Sequence, residues 1–222
     1  PQDIINCMSV PVVSPPVEVR VVIFGLQSDG LSTLLLPYPP QQWQLPGRPH
    51  AASQSLEDTA NASVCHAAGP LEIYLEQLYT YGDPARGGVS VVYFALLPTS
   101  AAHPESLKAS GADWKPVDAL TTLAFDHASI LTYALRRLRY KLEYTAVGFE
   151  LLPETFTLTE LQRTYELILG EKLDKRNFRR RILQAGVIEP TSHRRAGEGR
   201  PAQLFRYRPD AVAEVKARRL FP

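Results

Sequence analysis

The sequence predicts a mixed α/β sandwich followed by a winged helix-turn-helix, and three observations carry that expectation. β-Branched, largely apolar runs around Val17–Phe24 and Val89–Leu97 bracket a helical segment from Ser55 to Ala67, the pattern of a mixed sheet with flanking helices. From Phe156 onward the order becomes helix, turn, helix and basic hairpin. The charge also divides. Residues 1–150 carry 9 Lys and Arg against 14 Asp and Glu, whereas residues 151–222 carry 15 against 9, so the halves stand near −5 and +6 although the chain nets +1. A basic C-terminal half beside an acidic N-terminal one points to a module that binds a polyanion.

Residues 1–16 are Pro-rich and aperiodic, an N-terminal arm. A strand over Val17–Phe24 turns at Ser28-Asp29-Gly30 into a second over Leu31–Leu36. Pro37–Pro49, broken by five prolines, reads as a loop. Ser55 is an N-cap residue, and Glu57 and Asp58 in the first turn favour the positive end of the helix dipole. Gly69-Pro70 ends that helix. Two strands follow, at about Leu71–Tyr79 and Val89–Leu97, the second apolar enough to be covered on both faces. A helix from Asp126 to about Lys141 places Leu131, Leu135, Leu138 and Leu142 on one stripe and leads to a short joint, Tyr144–Pro153. The expected division is therefore an arm at 1–16, an α/β domain at 17–150 and a basic domain at 151–222.

In the C-terminal part, Thr157-Leu158-Thr159-Glu160 is a capping box that opens a helix with Leu158, Leu161, Tyr165 and Ile168 on its apolar side. Asp174 caps a second helix that runs to about Ala185 before Gly186, with Phe178, Ile182 and Ala185 facing inward. Arg176 and Arg180 project from the opposite face, with Lys175, Asn177 and Arg179 flanking and Arg181 nearer the packed side. A helix of this kind enters the major groove, where Arg bonds guanine and Asn bonds adenine bidentately. Arg181 is assigned to a phosphate. Short strands at Val187–Glu189 and Leu204–Arg208 flank a Gly- and Arg-rich loop, Ser192–Pro201, whose Arg194, Arg195 and Arg200 suit phosphates or a narrow minor groove.

Several classes are excluded or made improbable by composition. No apolar run approaches the roughly 20 residues that span a bilayer, and Pro1–Val13 has no basic region before an apolar stretch, so no secretory signal is read. Cys7 and Cys65 are too few for a disulfide framework or a structural zinc site, and a reduced, cytoplasmic setting is expected. Cys65 is read as a helix residue facing the sheet, and His66 as an exposed helical histidine rather than a lone ligand or base.

The runs Leu123-Ala124-Phe125-Asp126-His127, Leu151-Leu152-Pro153, Phe156–Gln162, Leu173–Arg180 and Gly199–Gln203, with Gly82-Asp83-Pro84 and Arg86, resemble the Nudix-related transcriptional regulators, in which a Nudix-type α/β sandwich acts as sensor for a winged helix. A Nudix hydrolase sets carboxylates one turn apart on a helix, where they hold divalent cations against pyrophosphate oxygens. Leu45-Pro46-Gly47 and Gly69 set the register of that motif here. Its first glycine becomes Arg48 and its first glutamate Gln54, its Arg-Glu pair becomes Ala62-Ser63, and its catalytic Glu-Glu pair becomes His66-Ala67. Glu57 and Asp58 remain but adjoin each other in the first turn.

The resemblance implies a homodimer that binds a palindromic double-stranded DNA operator, repressing or activating in answer to ADP-ribose or a related nucleotide or phosphosugar in NAD or sugar metabolism. No cofactor, catalytic residue or metal site is expected. Arg86 is the candidate contact to a ligand phosphate, with Arg48 and Tyr81 as further ligand candidates, and Trp43 and Tyr81 either stack on a base or pack at the rim. The competing reading is a Nudix phosphohydrolase acting on nucleoside diphosphate derivatives, with an accessory domain.

Overall fold

Side-chain alternation along β1 (Val17–Gln27) supplies two cores. Val22 and Phe24 enter one hydrophobic cluster, and Val19, Val21 and Ile23 enter another on the opposite face of the sheet. The coordinates are a computed structural model that describes residues 14–27, 30–82, 87–196 and 201–208. Residues 1–13 of the arm, Ser28 and Asp29 of the first turn, residues 83–86 with Arg86, residues 197–200 with Arg200, and residues 209–222 lie outside the described residues.

β1 pairs antiparallel with β2 (Gly30–Tyr38) and parallel with β6 (Val89–Leu96), from Val17 opposite Val89 to Phe24 opposite Leu96. The sheet runs β3-β2-β1-β6-β5, with β3 at Gln42–Gln44 and β5 at Tyr74–Tyr81, while β4 (Gly47–Pro49) joins β1 and β7 (Asp113–Pro116) joins β2. One face is covered by α1 (Leu56–Ala68) through Ala60, Val64, Ala67 and Ala68. α2 (Pro104–Ser110) packs beside it. The other face is covered by α3 (His127–Tyr144) through Ile130, Leu131, Ala134, Leu138 and Leu142.

That second cluster continues without a break into the C-terminal module. Val147, Phe149 and Leu151, on a short 3₁₀ turn at Val147–Leu151, link α3 to α4 (Leu158–Leu169) and α5 (Lys175–Ala185). Gly148 is where the backbone must pass closely: a Cβ there would lie 2.9 Å from Leu142 Cδ2 and 3.1 Å from Tyr165 Cε2. Across the same seam Arg139 Nε donates to the Ile168 carbonyl at 2.8 Å, satisfying one of the orphan carbonyls at the end of α4. β8 (Ile188–Arg195) and β9 (Ala202–Tyr207) form an antiparallel ribbon after α5.

The structure corrects four local expectations. Pro37–Pro49 is not simply a loop, because β3 and β4 lie within it. Pro37, on β2, lies opposite Trp43 of β3, and Pro49 is the last residue of β4, so prolines at strand ends and edges do not break the pairing. The strand expected at Leu71–Tyr79 starts at Tyr74 and runs to Tyr81. α2 and β7 are additional elements; α2 has Pro104 in its first turn and left-handed Gly111 at its end. Cys65 is exposed rather than turned to the sheet, since α1 rests on the row formed by Ala60, Val64, Ala67 and Ala68 and Cys65 falls outside it.

Candidate DNA and effector interfaces

The helix-turn-helix is assembled by local hydrogen bonds over two aromatic rings. Thr157 Oγ1 accepts from Glu160 N at 3.1 Å while the Glu160 carboxylate accepts from Thr157 N at 2.8 Å, completing the capping box of α4. Gln162 Nε2 donates to Glu166 Oε1 at 2.9 Å and to the Leu173 carbonyl at 3.0 Å, and Leu173 N donates to Glu166 Oε1 at 3.0 Å, which pins the turn. These bonds, Gln162's first, hold the Glu166 carboxyl below its usual range. Phe178 of α5 meets Tyr165 of α4 edge-on with centroids 5.6 Å apart, and both rings are buried.

α5 is thereby set with its basic face outward. Asp174 Oδ1 accepts from Asn177 N at 2.7 Å as its N-cap. Lys175, Arg176 and Arg180 are exposed, and Asn177, Arg179 and Arg181 are half-buried. Arg180 Nη2 donates to Asn177 Oδ1 at 2.8 Å, so the candidate guanine reader and adenine reader are already linked. Arg179 behaves differently: its Nη2 donates to Thr159 Oγ1 at 3.1 Å and ties α5 back to α4.

In the ribbon, Arg194 and Arg195 lie on β8, opposite Gln203 and Ala202, rather than in an irregular loop, because the strand pairing extends further than the short β-branched run predicts. Arg194 is exposed, and Arg195 forms an ion pair with Glu160 of α4.

In the N-terminal domain a cavity of about 580 Å³ opens beside the start of β1 and is lined by Glu18, Arg20, Ser90, Phe125, Asp126 and His127 among others. Glu18 Oε2 accepts from Arg20 Nη2 at 2.7 Å, and its Oε1 accepts from Ser90 Oγ. Burial pushes the Glu18 carboxyl up, but the hydrogen bonds from Arg20 and Ser90 outweigh it and leave the group below its ordinary value. His127 is buried and accepts from Leu45 N at Nδ1, 3.2 Å, which leaves its proton on Nε2. Phe125 is 66% exposed, its ring 5.1 Å from that of Tyr38. It has φ of +56°, and no other non-glycine among the described residues has a positive φ. Such a backbone conformation is rare for a large side chain, and here the ring is left mostly in water.

The ligand candidates read from sequence fall elsewhere. Arg48 is half-buried on β4 opposite Val19, outside the cavity lining, although its neighbour Pro49 contributes. Tyr81 pairs with Ser90 across β5 and β6 and packs edge-on against Tyr79. Trp43 lies under the Lys115 ammonium, 4.4 Å from its ring centroid. Of the residues that line the cavity, sequence reading assigned a role to none; its nearest signal was the run Leu123–His127.

On α1, Ser63 is buried and its Oγ donates to the Thr59 carbonyl at 2.9 Å, His66 is exposed and Ala67 is buried. Among the described residues no group of three or more His, Cys, Asp or Glu is placed to hold a metal ion. Nor is any described helix long and apolar enough to cross a membrane.

A capped helix-turn-helix with an arginine face and a paired ribbon, joined to a two-sided α/β sandwich, defines a DNA-binding transcriptional regulator. The NrtR DNA-binding winged helix domain matches residues 148–207. The ADPR responsive transcriptional repressor NtrR of Acinetobacter baylyi is 37% identical over 206 residues, covering 87% of this chain and 82% of that protein. The crystal structure of Shewanella oneidensis NrtR complexed with a 27mer DNA superposes with a TM-score of 0.79 at 34% identity, over 91% of this chain and 96% of that one. A MutT/nudix family protein from Enterococcus faecalis shares the fold, with a TM-score of 0.71 at 23% identity over 88% of each chain. This chain belongs to the NrtR family of transcriptional regulators.

Proposed function

We propose that the chain is a cytoplasmic, homodimeric repressor that binds a palindromic operator and is controlled by ADP-ribose or a closely related nucleotide. The observation that carries the DNA half is the outward face of α5, where Arg176 and Arg180 stand one turn apart and Asn177 bonds Arg180. In this reading Arg176, Asn177 and Arg180 read base edges, while Lys175, Arg181, Arg194 and Arg200 engage phosphates. Residues 17–150 sense and dimerise, and residues 151–222 bind DNA.

The effector enters the cavity at Phe125. An exposed aromatic ring beside mostly apolar walls suits a nucleobase face, and the Glu18–Arg20–Ser90 cluster offers polar partners to a ribose or phosphate. The name of the Acinetobacter relative supplies the effector class. A ligand that binds the folded state raises the melting temperature by mass action, contributing about 2.7 kcal/mol at 100 times its Kd. ADP-ribose should therefore raise the melting temperature of the parent protein, and Phe125→Ala should abolish most of that shift while leaving the unliganded melt unchanged. An equal shift in both proteins would place the effector elsewhere, and no shift in either would remove ADP-ribose as effector.

We also propose that the sensor is not a hydrolase. Ser63, His66 and Ala67 provide no carboxylate where metal-dependent pyrophosphate cleavage needs them. Turnover of ADP-ribose with magnesium or manganese that survives repurification would overturn this.

A further inference from the structure

Glu160 stands where the two DNA-facing elements meet. Its Oε2 is occupied by Thr157, through the backbone N at 2.8 Å and Oγ1 at 3.0 Å. Its Oε1 accepts from Arg195 Nη1 of β8, across 35 residues of sequence. One residue earlier on α4, Thr159 accepts from Arg179 of α5. The first turn of α4 thus holds the recognition helix by one residue and the ribbon by the next.

The ribbon geometry separates its two arginines. Successive residues of a strand point to opposite faces, so Arg195 turns to α4 and Arg194 turns away. Arg195 lies opposite Ala202, whose small side chain leaves the guanidinium room to lean toward α4. The pair is neither buried nor fully hydrated, with Arg195 45% and Glu160 39% exposed. Burial alone would raise the Glu160 carboxyl, but the bonds from Thr157 and Arg195 keep it low, so it stays ionised at neutral pH.

Indiscriminate attraction to DNA comes from counterion release, and each cation that engages a phosphate steepens the salt dependence by about 0.9 in log K against log salt. An arginine neutralised within the protein adds little to that sum. We propose that Glu160 is a specificity-determining residue: it neutralises Arg195 and holds β8 against α4, so the ribbon does not grip phosphates at arbitrary sequence. The inference rests on DNA binding by the winged helix but assigns Arg195 to the protein rather than to the nucleic acid.

The test uses all 222 residues with Glu160→Gln, Arg195→Ala and the double variant. Glutamine at this position still completes a capping box, so α4 keeps its start, and a thermal melt checks that it does. Binding is measured across a salt series to two duplexes of equal length, one selected by the parent protein from a randomised pool and one scrambled. Glu160→Gln should bind the scrambled duplex several-fold more tightly at low salt, with a slope steeper by roughly 0.9. Its preference for the selected duplex should fall by a similar factor. Arg195→Ala should leave the scrambled-duplex slope at the parent value, and the double variant should lose the increment that Glu160→Gln gained. The proposal is overturned if Glu160→Gln leaves the slope unchanged, or if Arg195→Ala alone flattens it by about one, because Arg195 would then already be engaging phosphate. Absence of salt-dependent binding by the parent would instead overturn the DNA-binding reading itself.

Discussion

Helices α1 and α5 begin and end alike but bury different faces. Each has a side-chain N-cap, Ser55 in one and Asp174 in the other, and each stops at a glycine, Gly69 or Gly186. Along its 13 residues α1 buries Thr59, Ala60, Ser63, Val64, Ala67 and Ala68, two rows of small groups against the sheet. Among its 11 residues α5 buries only Phe178 and Ile182. Small residues bring α1 close to the sheet, so Ser63 and Ala67 are buried while His66 stays exposed. Two large apolar anchors hold α5 at a distance and leave most of its circumference to arginine, lysine and asparagine. Capping therefore decides that a helix forms, and the size of its anchoring residues decides how much of it can meet a ligand.

The sharpest way to break this comparison is to put a carboxylate on the buried face of α1. Ser63→Glu puts a charge without a partner into a site that is 2% exposed, and the chain should lose roughly 3–5 kcal/mol of stability. Urea denaturation measures this. Stability near that of the parent would mean that α1 is not closed against the sheet.

On α5 the effect should appear in binding. Arg176→Ala or Arg180→Ala should cost roughly 1–3 kcal/mol on the selected duplex and less on a scrambled one, as read by fluorescence anisotropy. Arg194→Ala should weaken both duplexes more evenly and lower the salt slope. If all three variants bound the selected duplex like the parent, α5 and the ribbon would not be the DNA surface.

A smaller change tests the shared feature. Asp174→Ala removes the cap of α5 and should destabilise the chain by about 1 kcal/mol, with Asp174→Asn retaining most of the parent stability. Equal losses in both variants would assign Asp174 a role other than capping.

The smallest effect concerns Glu18, a carboxylate that the sensor half does keep partly buried. Its folded-state pKa lies below the ordinary 4.5. Its contribution to stability is therefore present above that pH and lost as pH falls through the folded value. Glu18→Gln should be less stable than the parent at neutral pH and should converge on it in acid. Curves that run parallel throughout would mean that the Arg20 and Ser90 bonds contribute no net stability.

The C-terminal half was legible because its signals are local. Thr157 and Glu160 are three residues apart, Asp174 caps its own helix, and Phe178 and Ile182 recur at one helical turn. β3 and β4 were hidden because prolines normally argue against strands, and only the pairing reveals that these prolines lie at strand ends and edges. The cavity was hidden for another reason. Glu18, Ser90 and Phe125 belong to segments far apart in the chain, and nothing in the neighbourhood of Phe125 announces a left-handed backbone. The Arg195–Glu160 pair, 35 residues apart, has the same obstacle, so the ribbon arginines look equivalent until β8 assigns them to opposite faces.

The unbroken cluster from Phe24 through Leu142, Phe149 and Phe156 to Tyr165 has a consequence for how such a regulator can be rebuilt or recombined. A winged helix cut away at the joint would expose Phe149 and Phe156 and would surrender the Arg139 bond to the end of α4. Grafted onto a foreign sensor, it would need a host helix offering an arginine at the place of Arg139 and a joint that keeps a small residue at the place of Gly148. Chimeras that exchange only residues after the joint should therefore express poorly, whereas chimeras that carry α3 with the winged helix should fold. The unit that has to move together is the DNA-binding module and the helix before it.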